Sequence, residues 1–136
     1  MKNTFFLSAF IVMLIAFPIS SNAAVRYDGG VAQSGNGTSW AQAVKTIQEG
    51  VNGDGEVWVK MGTYQLSTYI SLGSTSIYGG FNGTEVQRDH RDWVNNVTII
   101  DGSIVKNNAI ISVVGNAIID GLTITGGGVH PSDWSV

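Results

Sequence analysis

Two aspartates stand in matching surroundings, Thr98-Ile99-Ile100-Asp101-Gly102 and Ala117-Ile118-Ile119-Asp120-Gly121. If these segments are equivalent strands on adjacent rungs, their carboxylates lie ~4.8 Å apart along the stack. Such a pair offers the oxygen ligands that calcium prefers, which makes Asp101 and Asp120 the candidate metal ligands. Asp-Gly pairs also suit turns, in which the carboxylate accepts from nearby backbone N–H groups. The densest charged segment is Arg88-Asp89-His90-Arg91-Asp92-Trp93. An Asp–His pair can exchange protons, and an arginine can neutralise a ligand carboxylate. Adjacent residues of an extended segment point to opposite faces, however, so Asp89 and His90 need not meet, and a loop anchor is the simpler expectation. His130 has no candidate partner in its polar surroundings. No catalytic set is assigned, and no cofactor other than calcium is expected.

Trp58, Tyr64, Tyr69, Tyr78 and Phe81 could line a sugar-stacking surface if several point outward. In a narrow stack such rings more readily fill the core. Asn36-Gly37-Thr38, Asn82-Gly83-Thr84 and Asn96-Val97-Thr98 match the glycosylation pattern, but they also read as turns. Zinc-ligand spacing, a phosphate loop, a dinucleotide fingerprint and a Gly-x-Ser-x-Gly elbow are all missing from the sequence.

The elements that must position these residues are short β-prone runs, each closed by glycine. Gly62, Gly80, Gly102 and Gly121 end successive runs, spaced 18, 22 and 19 residues apart. Strand and glycine turn returning about every twenty residues is a solenoid signature, in which each repeat buries its apolar face against its neighbours. Val25-Arg26-Tyr27 is a candidate leading strand. Further strands are expected at 56–60, 64–72, 76–81, 97–101 and 109–114, and residues 82–95 are expected to form a loop. Trp40, Val44, Ile47 and Val51 fall on one helical face behind Ser39, a plausible N-cap. One amphipathic helix ahead of a strand stack would cover its first rung. No closing helix follows Gly126-Gly127-Gly128, so a domain truncated at its C-terminus is expected.

Residues 1–23 have the form of a signal peptide. Lys2 precedes an apolar run from Phe5 to Phe17, and Ser20-Ser21-Asn22-Ala23 offers a small-residue cleavage site. The run is shorter than the ~20 residues that span a membrane. The mature domain is then 24–136, with no membrane span. Removal of Lys2 takes the formal charge from −3 to −4. An acidic chain without clustered Lys and Arg is a poor partner for nucleic acid. With no cysteine, an exported domain of this size must rely on backbone pairing and packing instead of disulfides. All 18 glycines lie after residue 23, well above the usual ~7% of residues, as a turn-rich stack requires.

Six pieces in order carry a resemblance: Gly37-Thr38-Ser39-Trp40-Ala41; Val57-Trp58-Val59 with Gly62-Thr63-Tyr64; Ile77-Tyr78-Gly79-Gly80-Phe81-Asn82-Gly83-Thr84-Glu85; Arg91-Asp92-Trp93; Thr98 to Gly102; and Ile119 to Gly127. Together they resemble the N-terminal part of secreted bacterial right-handed parallel β-helix proteins of the pectin lyase-like superfamily. They are similar in particular to choice-of-anchor Q surface proteins. The resemblance implies an all-β, right-handed parallel β-helix of about four coils with an N-terminal capping α-helix. It also implies a secreted or bacterial cell-surface location, calcium clusters of the kind lyases use, and a structural role for the Arg-Asp-Trp piece, with Trp93 packed onto the stack. The family includes lyases, hydrolases and non-catalytic proteins. The expected function is a non-catalytic scaffold contacting polysaccharide or extracellular matrix. The alternative is the N-terminal fragment of a polysaccharide lyase or glycoside hydrolase whose active site lies beyond Val136; a truncated product without function is a third reading.

Overall fold

The computed structural model describes residues 24–52, 55–105 and 109–127. The expected signal peptide and His130 lie outside the described residues. In chain order the elements are β1 (Val25–Tyr27), α1 (Ile47–Val51), β2 (Glu56–Lys60), β3 (Gly62–Gln65), β4 (Ile70–Leu72), β5 (Ser76–Phe81), β6 (Thr98–Asp101), β7 (Ile111–Val113), β8 (Ile119–Asp120) and β9 (Thr123–Thr125). Single 3-10 turns occur at Trp40–Gln42 and Arg88–His90. The described chain is therefore mostly parallel β-sheet with little helix, in keeping with the all-β expectation. A first sheet runs β1-β2-β5-β8, a second β3-β6-β9 and a third β4-β7, and every pairing is parallel. From β2 onward the chain visits first, second and third sheet in turn, then returns to the first.

Alternation along β2 sends Val57 and Val59 to one face and Trp58 to the other. The first face is the main core. Val57 pairs in register with Ile77, and both are fully buried together with Leu72 and Ile100. Each such aliphatic side chain contributes about 1.5–3 kcal/mol relative to exposure. On the opposite face of the first sheet, Trp58, Tyr78 and Phe81 form a second cluster with Ala24 and Trp40. The Trp58 and Phe81 rings stack at 4.9 Å with planes 8° apart. Both faces of the first sheet are thus covered, which explains why β2 and β5 carry bulky apolar residues at consecutive positions. The columns open at the far edge: Ile119 is 39% exposed although its partner Ile77 is buried, and Ile124 is 42% exposed beside buried Ile100.

The structure corrects three expectations. The helix expected over 39–51 is divided. Ser39 makes no side-chain cap, a 3-10 turn follows it, and Val44 bridges Tyr27 in parallel before α1 begins. Thr46 is the effective N-cap: its hydroxyl accepts from the Glu49 N–H while the Glu49 carboxylate accepts from the Thr46 N–H. This reciprocal capping box sets the helix start, leaving the Trp40 and Val44 positions outside the helix. The short α1 still buries Ile47 and Val51 and packs against β1, β2 and β4. Second, the run 64–72 breaks into β3 and β4 around a corner. Third, the glycine-closed repeats are not equivalent. Asp101-Gly102 ends β6 in the second sheet, whereas Asp120-Gly121 ends β8 in the first. Strand ends occur at every corner, so a glycine spacing near twenty mixes corners. Register partners in the first sheet are instead twenty residues apart from Val57 to Ile77 and forty-two from Ile77 to Ile119.

Candidate functional site

Two surfaces gather the side chains with chemical potential. On the outer side of the first sheet, the segment after β5 folds back over Trp58, Tyr78 and Phe81. Gly80 makes this approach possible: its φ is +91°, and a Cβ there would meet Trp93 Cα at 2.7 Å. The loop is then fastened by polar groups turned inward. The buried Glu85 carboxylate accepts from the N–H groups of Asn82, Gly83 and Thr84 at 2.7, 3.0 and 3.1 Å. The Trp40 indole donates to the Glu85 carbonyl at 2.9 Å. Arg88 lies over the Tyr78 ring and donates to Glu56 at 2.9 Å, while the other Glu56 oxygen accepts from the Trp58 indole. Arg91 stacks against Tyr78 and Trp93, donates to the Gly79 carbonyl and pairs with Asp120. Asp92 accepts from the Asn95 side chain and from the N–H groups of Val94 and Asn95, and these bonds hold its carboxyl below the usual range.

The charged cluster is therefore engaged in anchoring. Asp89 is exposed beside the Arg88 Nε at 3.7 Å, and it makes no bond to His90. Trp93 is packed less fully than expected: its backbone rests on Gly80 and Arg91 lies over its ring at 5.1 Å, but the residue is 55% exposed. Asp101 and Asp120 do not form the stacked pair on which the calcium expectation depends. Asp101 pairs in register with Gln65 and Thr125, and Asp120 with Tyr78. Asp101 accepts from the Ser103 N–H at 2.8 Å, a turn that lowers its pKa, and Asp120 faces Arg91. Among the described residues no three His, Asp or Glu side chains come together. Of the five aromatic candidates, Trp58, Tyr78 and Phe81 are buried, and Tyr64 packs on Tyr27 at 4.8 Å. Tyr69 alone of the five is exposed, at 42%.

Tyr69 stands at the second surface, a cleft of about 210 Å³ between the start of α1 and the corner joining β3 to β4. The division of 64–72 creates it. Leu66 and Ile70 turn into the core on either side of the corner, and Ser67, Thr68 and Tyr69 are left exposed between them. Gln48 and Gln65 flank the corner, and Lys45 stands at the edge. Gln48 is tied at both ends of its amide, accepting from the Ser71 N–H at 3.3 Å and donating to Asn52 at 3.0 Å. The Lys45 ammonium donates to the Ala32 carbonyl at 3.1 Å. Buried Tyr27 closes the inner wall. Its phenol is pushed up to about 12 by burial and by the neighbouring Asp28 charge, so it stays neutral. Among the described residues the side-chain hydroxyls of Ser67, Thr68 and Tyr69 have no hydrogen-bond partner, and no Asp, Glu or His lines the cleft. The surface can stack and hydrogen-bond a ligand, but it offers no carboxyl or imidazole for proton transfer. In the sequence these residues sit inside one apparent strand run, and the only signal for the corner was the polar Ser67-Thr68 pair.

The chain matches no family model, no curated protein and no solved structure.

Proposed function

We propose that this chain is a non-catalytic, secreted or cell-surface scaffold, built as a right-handed parallel β-helix, that contacts carbohydrate through the cleft beside Tyr69. The serial return of the chain to three parallel sheets supports the architecture, and the strong preference of parallel crossovers for the right hand supports its handedness. The form of residues 1–23 supports export. The observation that carries the functional reading is the corner itself. An exposed tyrosine, two unpartnered hydroxyls and two amides surround a concave apolar floor, and no carboxylate or imidazole lines it. Concave, mostly apolar sites with a few convergent polar groups are the usual form of small-ligand sites.

A glycan array probed with the mature chain and with Tyr69→Ala tests the reading. Retention of one or more glycans by the first and loss by the second is expected; uniform failure of the mature chain to retain any glycan would overturn it. Incubation with uronate polymers and calcium should give no unsaturated product. Rising absorbance would replace the scaffold with a lyase.

A further inference from the structure

We infer that the Tyr69 cleft selects a single neutral pyranose ring, a terminal or side-branch sugar, and disfavours a charged one; this rests on the carbohydrate-binding reading above. Three features converge on that ligand class. The volume, about 210 Å³, falls below the ~300–1,000 Å³ that drug-sized ligands occupy, which suits one ring better than an extended chain. The floor consists of Ile47, Leu66 and Ile70, all buried, and Tyr69 rises beside it. An apolar floor and an aromatic wall fit the C–H faces of a sugar ring. The rim supplies neutral hydrogen-bonding groups: the unpartnered hydroxyls of Ser67 and Thr68, and the Gln65 amide, which donates one N–H to the Ser103 hydroxyl at 3.4 Å and keeps its carbonyl and second N–H for ring hydroxyls.

The charge arrangement excludes the obvious competitor. A carboxylate is best bound by an arginine fork or by converging backbone N–H groups. No arginine lines the cleft, and its one cation, Lys45, is exposed at the edge and tied to the Ala32 carbonyl. An anionic sugar seated on the apolar floor would lose hydration without gaining a buried partner. A neutral ring loses less water and recovers its hydrogen bonds from the rim.

Titration of the full mature chain with methyl α-glucopyranoside, methyl α-mannopyranoside and methyl β-galactopyranoside, alongside sodium glucuronate and galacturonate, tests the inference by calorimetry or ligand-observed NMR. At least one neutral glycoside should bind. Tyr69→Ala should weaken it about tenfold, and Tyr69→Phe should hold it within about threefold. The double variant Ser67→Ala/Thr68→Ala should also weaken it, whereas Trp93→Ala should leave it unchanged. Tighter binding of a uronate, lost in Lys45→Gln, would overturn the inference while leaving the carbohydrate reading intact. Failure of all five saccharides to bind while a glycan is retained on the array would overturn the inference alone; failure in both experiments would overturn both.

Discussion

The loop-covered face of the first sheet and the corner between β3 and β4 both carry polar side chains, yet the first engages its charged groups within the fold while the second leaves three hydroxyls without a partner. On the loop side, Glu85, Arg88, Arg91 and Asp92 each have partners within the fold. Their charges satisfy backbone groups, stack on Tyr78 and pair with Glu56 and Asp120, and the aromatic cluster beneath them is closed to solvent. At the corner the exposed residues are uncharged, and the side-chain hydroxyls of Ser67, Thr68 and Tyr69 remain open to a ligand. Density of charge in a sequence therefore does not locate chemistry. What matters is whether the fold engages the groups or leaves them free around a concavity.

The sharpest way to break this contrast is to remove the apolar support of the loop. Phe81→Ala deletes a fully buried ring stacked on Trp58 and tilted against Trp40. It should cost about 3–5 kcal/mol in urea unfolding. Gly80→Ala should cost at least about 2 kcal/mol, because a side chain at φ +91° is strained and would press on the Trp93 backbone. A loss comparable to an ordinary surface substitution in either variant would mean the loop is not seated on the sheet.

Arg91→Gln probes the polar fastening and should lower stability by about 1 kcal/mol, since Asp120 is half exposed and screened. The same variant should not affect glycan retention. A smaller test uses pH. Burial alone would raise the Asp28 carboxyl, but its bonds to Lys60 and the Gly30 N–H bring it below its usual value. A carboxylate with a depressed folded pKa contributes stability above the unfolded value of ~3.9, and that contribution disappears as pH falls through the folded value. Asp28→Asn should therefore be less stable than wild type at neutral pH and converge with it at acid pH, measured as Tm from pH 7 to pH 2. A constant Tm difference across that range would show that the ion pair does not contribute. Tyr69→Ala, at the other region, should shift stability by no more than ~0.5 kcal/mol.

Much of the architecture was legible. The alternation in Glu56-Val57-Trp58-Val59-Lys60 marked β2, and the β-prone runs at 76–81 and 97–101 marked β5 and β6. The excursion at 82–95 was evident from its lack of apolar periodicity. Corner positions were not, because Ile-Ile-Asp-Gly reads alike at the end of β6 and at the end of β8, so the sequence pattern stacks Asp101 on Asp120 although they belong to different sheets. The helix was overextended because Trp40 and Val44 keep helical spacing with Ile47 and Val51, while the local capping box at Thr46 and Glu49 determines where the helix begins. The cleft was hidden for the same reason as the corner. Leu66, Ile70 and Leu72 share strand parity, and only the fold shows that the chain turns between the first two.

The most direct test of the contrast between engaged and open polar groups is a backbone amide shift map of residues 24–136 titrated with whichever glycan the array retains. Perturbations should concentrate at 45–48 and 65–70 and spare 88–93. Perturbations centred on Arg88, Arg91 and Trp93, with residues 65–70 unmoved, would contradict the account.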